Sequence, residues 1–459
     1  MKELEKGVRF RIRLIGVVFT LCFALVAMRA FDLQVLQEQQ WEERAERQHQ
    51  KVIPLTPQRG TIFDRNGEEL AVSVDVDSVY AEPGKIKAVA GATKSLAKVL
   101  GISTRSLKAK LKGSRNFVWL KRQITPGQSN QIKQMKLDGV GMIKEHRRFY
   151  PNSTIAGHLL GFTGLDPKGL EGLELQYDKM ILGRGGYLVM ERDAMGRGLA
   201  AGSPQVQGAT RGHDLYLTLD KNLQYLAERE LAEGLRTTQA KAGTVVMMEP
   251  STGKVLALAS SPEYNPNAFS RYKPYQWRNR AVCDSFEPGS TFKIFLMAAA
   301  LNEAVVGTRQ KIDCENGVFR VGGKDIHDHK KYQKLTPAEI IKYSSNIGSA
   351  KIGKMLERKV FHRYLTDFGF GQPTGIDLPG EVNGLLRPPG KWFEVDLAAI
   401  SFGQGVSVTS VQLTAATAAI ANGGYLMEPY VVERIVDSQG QVTRQSQPRV
   451  VRKVIAQDV

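Results

Sequence analysis

Glu287-Pro288-Gly289-Ser290-Thr291-Phe292-Lys293, continued by Ile294-Phe295-Leu296-Met297-Ala298-Ala299-Ala300-Leu301, is the stretch whose reading decides the fold. The continuation is apolar on every side, which predicts a helix buried inside a domain rather than resting on it. Pro288-Gly289 interrupts whatever precedes, so Ser290 is expected at or near the first turn, where unpaired backbone N–H groups favour developing negative charge. Residues three apart share a helix face, and the Lys293 amine comes within reach of the Ser290 hydroxyl. Serine is a poor nucleophile without a base, and a lysine desolvated by apolar neighbours has its pKa lowered enough to serve as one. Ser-x-x-Lys alone equally describes a serine cap followed by a solvated lysine, so the pattern needs companions.

The first companion is Tyr343-Ser344-Ser345-Asn346, between the helical pattern Thr336-Pro337-Ala338-Glu339-Ile340-Ile341 and the small-residue run Ile347-Gly348-Ser349-Ala350. On a tight loop, Ser344 and Asn346 project a hydroxyl and an amide into one cleft, the first to relay a proton and the second to hold an amide substrate. Ser-x-x-Lys followed by Ser-x-Asn is the pattern of penicillin-recognising serine enzymes.

Three further motifs extend the likeness over nearly the whole chain: Arg59-Gly60-Thr61-Ile62-Phe63-Asp64-Arg65-Asn66-Gly67 with Leu70-Ala71; Arg148-Phe149-Tyr150-Pro151-Asn152 through Ala156-Gly157-His158-Leu159-Leu160-Gly161; and Gly169-Leu170-Glu171-Gly172-Leu173-Glu174 running on to Tyr177 and Gly183. With Phe402-Gly403-Gln404-Gly405, they make the chain resemble the class B penicillin-binding proteins, and within them the cell-division peptidoglycan D,D-transpeptidases. The resemblance implies an α/β (α+β) transpeptidase fold, helices on an antiparallel sheet, preceded by a β-rich pedestal and one N-terminal transmembrane helix. It implies Ser290 as nucleophile, Lys293 as base, Ser344 as proton relay and Asn346 as holder of the donor amide, with no metal or diffusible cofactor. The partners implied are peptidoglycan stem peptides, β-lactam antibiotics, the inner membrane and other division-machinery membrane proteins including a glycosyltransferase.

The 459 residues exceed one core and call for at least two domains. The net charge of +17 points to an anionic partner or surface. Leu14 to Met28 is apolar and follows Lys2, Lys6, Arg9, Arg11 and Arg13. With snorkelling arginines and Ala30-Phe31 it reads as a membrane anchor with a cytoplasmic N-terminus rather than a cleaved signal peptide. The expected divisions are a basic tail (1–13), an anchor (14–31), a juxtamembrane amphipathic helix (32–50, drawn from Gln34 to Gln48), a pedestal (51–212) and a transpeptidase domain (213–459). Cys22 lies in the span; Cys283 and Cys314 are either a pair or two unpaired buried thiols.

From Lys51 to about Gly212 the pattern predicts short strands, Gly-bearing turns such as Asn66-Gly67, and few long helices. Gly84 to Leu137 holds thirteen Lys or Arg and no acidic residue. A position beyond the membrane argues against a nucleic-acid surface, leaving a solvated helical face or a contact for an anionic envelope polymer, lipid head groups or an acidic partner. Arg59, Asp64 and Arg65 are read as structural.

Beyond His213, Asp220 is expected to cap a helix to about Thr237, with Gly243 to Met248 and Lys254 to Ala259 as a strand pair. Thr409 precedes an expected helix Ser410 to Asn422, followed by a strand pair, Tyr430 to Val436 and Val442 onward. His327-Asp328-His329 could place two imidazoles together, but no third ligand is near in sequence, and a solvated or hydrogen-bonded loop is the better reading. No Lys-Thr-Gly or Lys-Ser-Gly occurs in the chain. The resemblance places that motif on a later strand of the cleft, so a C-terminally truncated enzyme is expected, with one oxyanion donor lost at a cost of about a hundredfold in rate. The alternatives are a catalytically impaired membrane scaffold and a β-lactamase or penicillin-sensor relative, with elongation-type and sporulation-type transpeptidases as closer rivals.

Overall fold

The structure is a computed structural model that describes residues 2–37, 50–55, 57–86, 89–112, 117–191 and 205–459. It divides into two compact units, Met1–Thr56 with Gly185–Ala209, and Pro57–Arg184 with Thr210–Val459. In the first unit a helix spans Lys2–Phe31 and continues as a wider turn over Asp32–Leu36. Leu14–Leu36, 23 residues of mean hydropathy 2.3, is long and apolar enough to cross a membrane. The amphipathic helix expected from Gln34 to Gln48 lies mostly outside the described residues. The rest of this unit is an antiparallel sheet in which Gly186–Glu191 pairs with Gln50–Leu55 on one side and Gln205–Gln207 on the other.

A seven-stranded sheet runs through the second unit. From one edge the order is Val442–Gln445, Val432–Val436, Asp214–Leu217, Ile62–Phe63, Glu69–Ala81 and Val118–Ile124, with Val140–Phe149 also lying along Glu69–Ala81. Asp214–Leu217, just past the expected division at residue 212, pairs with strands from both sides of it: parallel to Ile62–Phe63 and antiparallel to Val432–Val436. The pedestal therefore shares hydrogen bonds and a hydrophobic core with the region that follows, Ile62, Leu70 and Leu173 packing with Leu215, Leu258 and Ile435.

The pedestal is built of longer elements than expected. Glu69–Ala81 is a 13-residue strand, and the helices Val89–Leu100, Thr104–Leu111 and Pro126–Met135 cover its far end. The basic stretch suggested a solvated helical face but hid the core beneath it, because its apolar positions are sparse. Leu96, Leu100, Leu107, Leu120 and Ile132 suffice to form a core, while Arg105 and Lys108 face solvent. Asn66-Gly67 forms the expected turn, with Asp64 Oδ1 accepting from the backbone N–H of Asn66 at 2.8 Å and of Glu68 at 2.9 Å.

The second half follows the residue pattern closely. Asp220 caps the helix Lys221–Thr238, its Oδ1 accepting from Asn222 N at 2.9 Å and Leu223 N at 3.2 Å. That helix packs Leu223, Ala227 and Leu231 on Ala257 and Ala259 of the antiparallel hairpin Gly243–Met248 and Val255–Ser261. Ser410–Ala421 carries a reciprocal Thr409–Gln412 capping box and packs against the same hairpin. Val432–Val436 and Val442–Gln445 form the expected late pair, and a second one, Tyr425–Met427 with Val450–Lys453, was not foreseen. At the centre lies Lys293–Asn302, where every residue from Phe295 to Ala300 is buried and Phe295 meets the rings of Phe292, Phe368 and Phe370.

Candidate functional site

Ser290 lies in a single 3-10 turn, Gly289–Phe292, and Lys293 begins the α-helix that follows. The tighter turn has a local cause. Gly289, at φ +58°, donates its N–H to Gly403 O at 3.0 Å, and a side chain on Gly403, itself at φ +80°, would come within 2.1 Å of Gly289 O. The Phe402-Gly403-Gln404-Gly405 motif thus packs backbone on backbone against the serine turn, and Gly405 N donates to Glu287 Oε1 at 2.8 Å. The outcome is an exposed Ser290 above a Lys293 only 1% exposed.

The helix Pro337–Tyr343, opened by a Thr336–Glu339 capping box, ends with Ser344 at φ +57°. That left-handed residue turns both its carbonyl and its hydroxyl to Lys293, whose Nζ donates to Ser344 O at 2.7 Å, Ser344 Oγ at 2.9 Å and Asn346 Oδ1 at 2.9 Å. Nζ lies 3.2 Å from Ser290 Oγ, and Ser344 Oγ donates to Ser290 Oγ at 2.8 Å. All four residues singled out from the sequence are therefore brought together.

The oxygens around Nζ are all uncharged. Burial, the larger effect, lowers the Lys293 pKa against a weaker opposing pull from Asp328, to about 8. A neutral amine has two hydrogens and one lone pair. Its hydrogens are accommodated by Ser344 O and Asn346 Oδ1; since the Ser344 hydroxyl gives its proton to Ser290 Oγ, the lone pair is left for the Ser290 hydroxyl.

His327-Asp328-His329 contributes its middle residue. Asp328 Oδ2 accepts from Ser345 Oγ at 2.6 Å, and Oδ1 from the N–H of Asn346 at 2.6 Å and of Ile347 at 3.1 Å. Sequence reasoning placed a hydrogen-bonded loop here but did not single out this carboxylate. Its only signal was an acidic residue in a loop leading to a helix start. Cys314 and Cys283 are both free: Cys314 is buried beside Ser345, and Cys283 lies against Gly380.

Arg59 lies elsewhere, in a buried cluster that unites the three pedestal motifs. Its Nε and Nη2 donate to Glu174 Oε2 at 2.9 and 2.6 Å and its Nη1 to Asp178 Oδ1 at 2.5 Å, while Arg148 Nε donates to Glu174 Oε1 at 2.5 Å. Asp64 and Arg65 serve the neighbouring turn, Arg65 through its backbone N–H to Leu219 O at 2.9 Å.

Residues 54–217 match the penicillin-binding protein dimerisation domain, and residues 243–459 the penicillin binding protein transpeptidase domain. The chain is 33% identical over 431 residues to peptidoglycan D,D-transpeptidase FtsI of Escherichia coli K12, covering 92% of this chain and 72% of that one. It is 32% identical to the probable peptidoglycan D,D-transpeptidase PenA of Neisseria gonorrhoeae (97% and 77% covered) and 31% identical to stage V sporulation protein D of Bacillus subtilis (99% and 71% covered). Among solved structures, a peptidoglycan synthetase from Bifidobacterium adolescentis superposes with a TM-score of 0.70 at 29% identity, covering 89% of this chain and 80% of that one. Penicillin binding protein 2X from Streptococcus thermophilus gives 0.71 at 27% identity, covering 89% and 64%. This chain belongs to the peptidoglycan D,D-transpeptidase family of penicillin-binding proteins.

Proposed function

We propose that this enzyme cross-links peptidoglycan stem peptides by serine acyl transfer, with Ser290 as nucleophile, Lys293 as base, Ser344 as proton relay and Asn346 as amide holder. The observation that carries the reading is the Lys293 amine, out of water, surrounded by neutral oxygens and 3.2 Å from Ser290 Oγ. Ser290 Oγ bonds to the carbonyl carbon between two D-alanines as its proton passes to Nζ. The carbon–nitrogen bond then breaks, and the departing D-alanine amine takes that proton through the Ser344 hydroxyl, 2.9 Å from Nζ. An amine from a second stem peptide displaces Ser290 Oγ, which recovers its proton, and the new amide is the cross-link. A β-lactam opens on the same oxygen and leaves no departing fragment, so the acyl-enzyme persists.

The helix over Leu14–Leu36 supports a single-pass protein with the basic N-terminus in the cytoplasm and the catalytic region outside the inner membrane. There it would act in septal wall synthesis beside other division-machinery membrane proteins, including a glycosyltransferase. The test is incubation of the chain with fluorescent penicillin, followed by mass spectrometry. A stable adduct on Ser290, absent from Ser290→Ala, is expected. Equal labelling of Ser290→Ala would sink the assignment, and rapid hydrolytic turnover would favour a β-lactamase.

A further inference from the structure

Asp328 takes no part in the acyl transfer described above, yet its carboxylate binds three consecutive residues of the loop on which that chemistry depends. Ser345 Oγ donates to Oδ2, and the N–H groups of Asn346 and Ile347 donate to Oδ1. Those N–H groups open the helix Asn346–Leu356 and have no partner within it, so the carboxylate satisfies them at the positive end of the helix. Ser345, fully buried, passes the constraint on by accepting from Gly348 N at 2.9 Å. The residue before Asp328 completes the grip: His327 O accepts from Asn346 Nδ2 at 3.1 Å, which turns Asn346 Oδ1 to Lys293.

We propose that Asp328 is a positioning residue of the acyl-transfer site, holding Ser344 and Asn346 in the arrangement that receives the Lys293 amine. The inference rests on the acyl-transfer reading. Ser344 needs such support, because a left-handed backbone is disfavoured for a residue with a Cβ and persists only where its surroundings over-determine it. Anchoring the next three residues to one carboxylate provides that support.

Asp328 also carries charge. The other charged groups around the loop are engaged or flank it: Lys351 of the helix pairs with Glu315 at 2.6 Å, Asp313 lies on the adjoining turn, and His327 and His329 stand on either side. Asp328 is the charged residue whose field reaches Lys293, where it opposes the lowering caused by burial. Asp328→Asn keeps an acceptor for both backbone N–H groups and can donate to Ser345 Oγ, so it removes the charge and preserves the shape. Asp328→Ala removes both.

The test is the second-order rate of Ser290 acylation by fluorescent penicillin on the full chain, from pH 6 to 10. Lys293 is titrated in parallel by NMR on 13Cε-lysine protein, its resonance assigned with Lys293→Arg. Asp328→Asn is expected to keep the high-pH rate within about tenfold and to move the midpoint of both profiles to lower pH, since a lost negative charge favours the neutral amine. Asp328→Ala is expected to lower the high-pH rate more than tenfold while melting as one folded species. An unchanged high-pH rate in Asp328→Ala overturns the proposal. So does an equal loss in both variants with the midpoints unmoved, which is what a collapsed loop would give. If the unaltered chain forms no adduct, the acyl-transfer reading falls instead; the NMR titration still tests Asp328, and an unmoved Lys293 midpoint in Asp328→Asn then overturns its role.

Discussion

Arg59 and Lys293 lie almost fully out of water, 2% and 1% exposed, and their surroundings act on them in opposite directions. Around Arg59, burial alone would lower the pKa, but the carboxylates of Glu174 and Asp178 outweigh it and the net shift is upward. Lys293 meets only neutral oxygens; burial prevails and the pKa falls to about 8. A buried cation given counter-ions is locked in its charged form and ties segments together. The same cation given only neutral acceptors is left ready to release its proton. The pedestal uses the first arrangement and the serine site the second, so substitutions at the two should separate stability from activity.

The largest effect is expected from Lys293→Met. Without the base, acylation of Ser290 by penicillin should fall about a thousandfold or more. Stability should hardly change, because two terms of similar size oppose one another. At pH 7 the native chain buries a charged amine whose pKa is depressed from 10.5 to about 8, and removing it returns up to about 3 kcal/mol. Against that, Ser344 O and Asn346 Oδ1 lose a donor, at about 1–3 kcal/mol each. A melting point within a few degrees of the unaltered chain, together with lost acylation, is the expected outcome. A collapse in stability would show that Lys293 is a structural cation like Arg59.

Glu174→Ala should do the reverse. It strands the guanidinium groups of Arg59 and Arg148 without the carboxylate between them, and breaking a buried pair in this way costs about 3–5 kcal/mol. Denaturant unfolding should show the loss, while the acylation rate per folded molecule stays within a few-fold.

This contrast also marks how far the sequence could be read. Ser290 and Lys293 were legible because a spacing of three across a 3-10 or α-helical turn brings them together whatever the rest of the fold does, and the apolar run behind them foretold the desolvation. Ser344 and Asn346 were legible only as companions of that pair. Arg59, Arg148 and Glu174 each stood in a recognised motif, but the approach of Arg148 to Arg59 follows from the antiparallel pairing of Glu69–Ala81 with both Val140–Phe149 and Ile62–Phe63, which no local pattern announces. Asp328 was obscured by its two histidines, which drew attention to metal chemistry. The basic stretch was read as a solvated helical face, but the length of the pedestal strand and the core under its three helices were obscured by lysines and arginines that broke the apolar rhythm.

A smaller effect is expected from pH. An amine acts as a base only when neutral, so with Lys293 in the proposed role acylation should fall tenfold per unit below about pH 8 and level off above it. Linkage sets the sign for stability. Since the folded pKa lies below the unfolded 10.5, the unfolded chain holds the extra proton between the two values. The Lys293 contribution is therefore flat below about 8, where the buried ammonium costs its full amount, and stability rises as pH goes from about 8 to about 10.5. Arg59, charged throughout, contributes no slope in that range, so a rising slope that disappears in Lys293→Met would assign it to the serine site alone.

The smallest change is expected from Tyr150→Phe, at the edge of the pedestal cluster. Burial first, and then the charge of Glu174, push the Tyr150 pKa well above its ordinary value, so its hydroxyl remains a donor at any pH the protein tolerates. It donates to Glu174 Oε1 at 3.4 Å, near the limit for a hydrogen bond, whereas Arg148 Nε meets the same oxygen at 2.5 Å. Glu174 does not depend on the weaker donor, and the ring stays buried in either variant. The expected loss is about 0.5–1 kcal/mol in denaturant unfolding, with acylation unchanged. A loss approaching that of Glu174→Ala would mean that the cluster is held cooperatively, each donor conditioning the others, and the pairwise reading of Arg59 set against Lys293 would have to give way to a network.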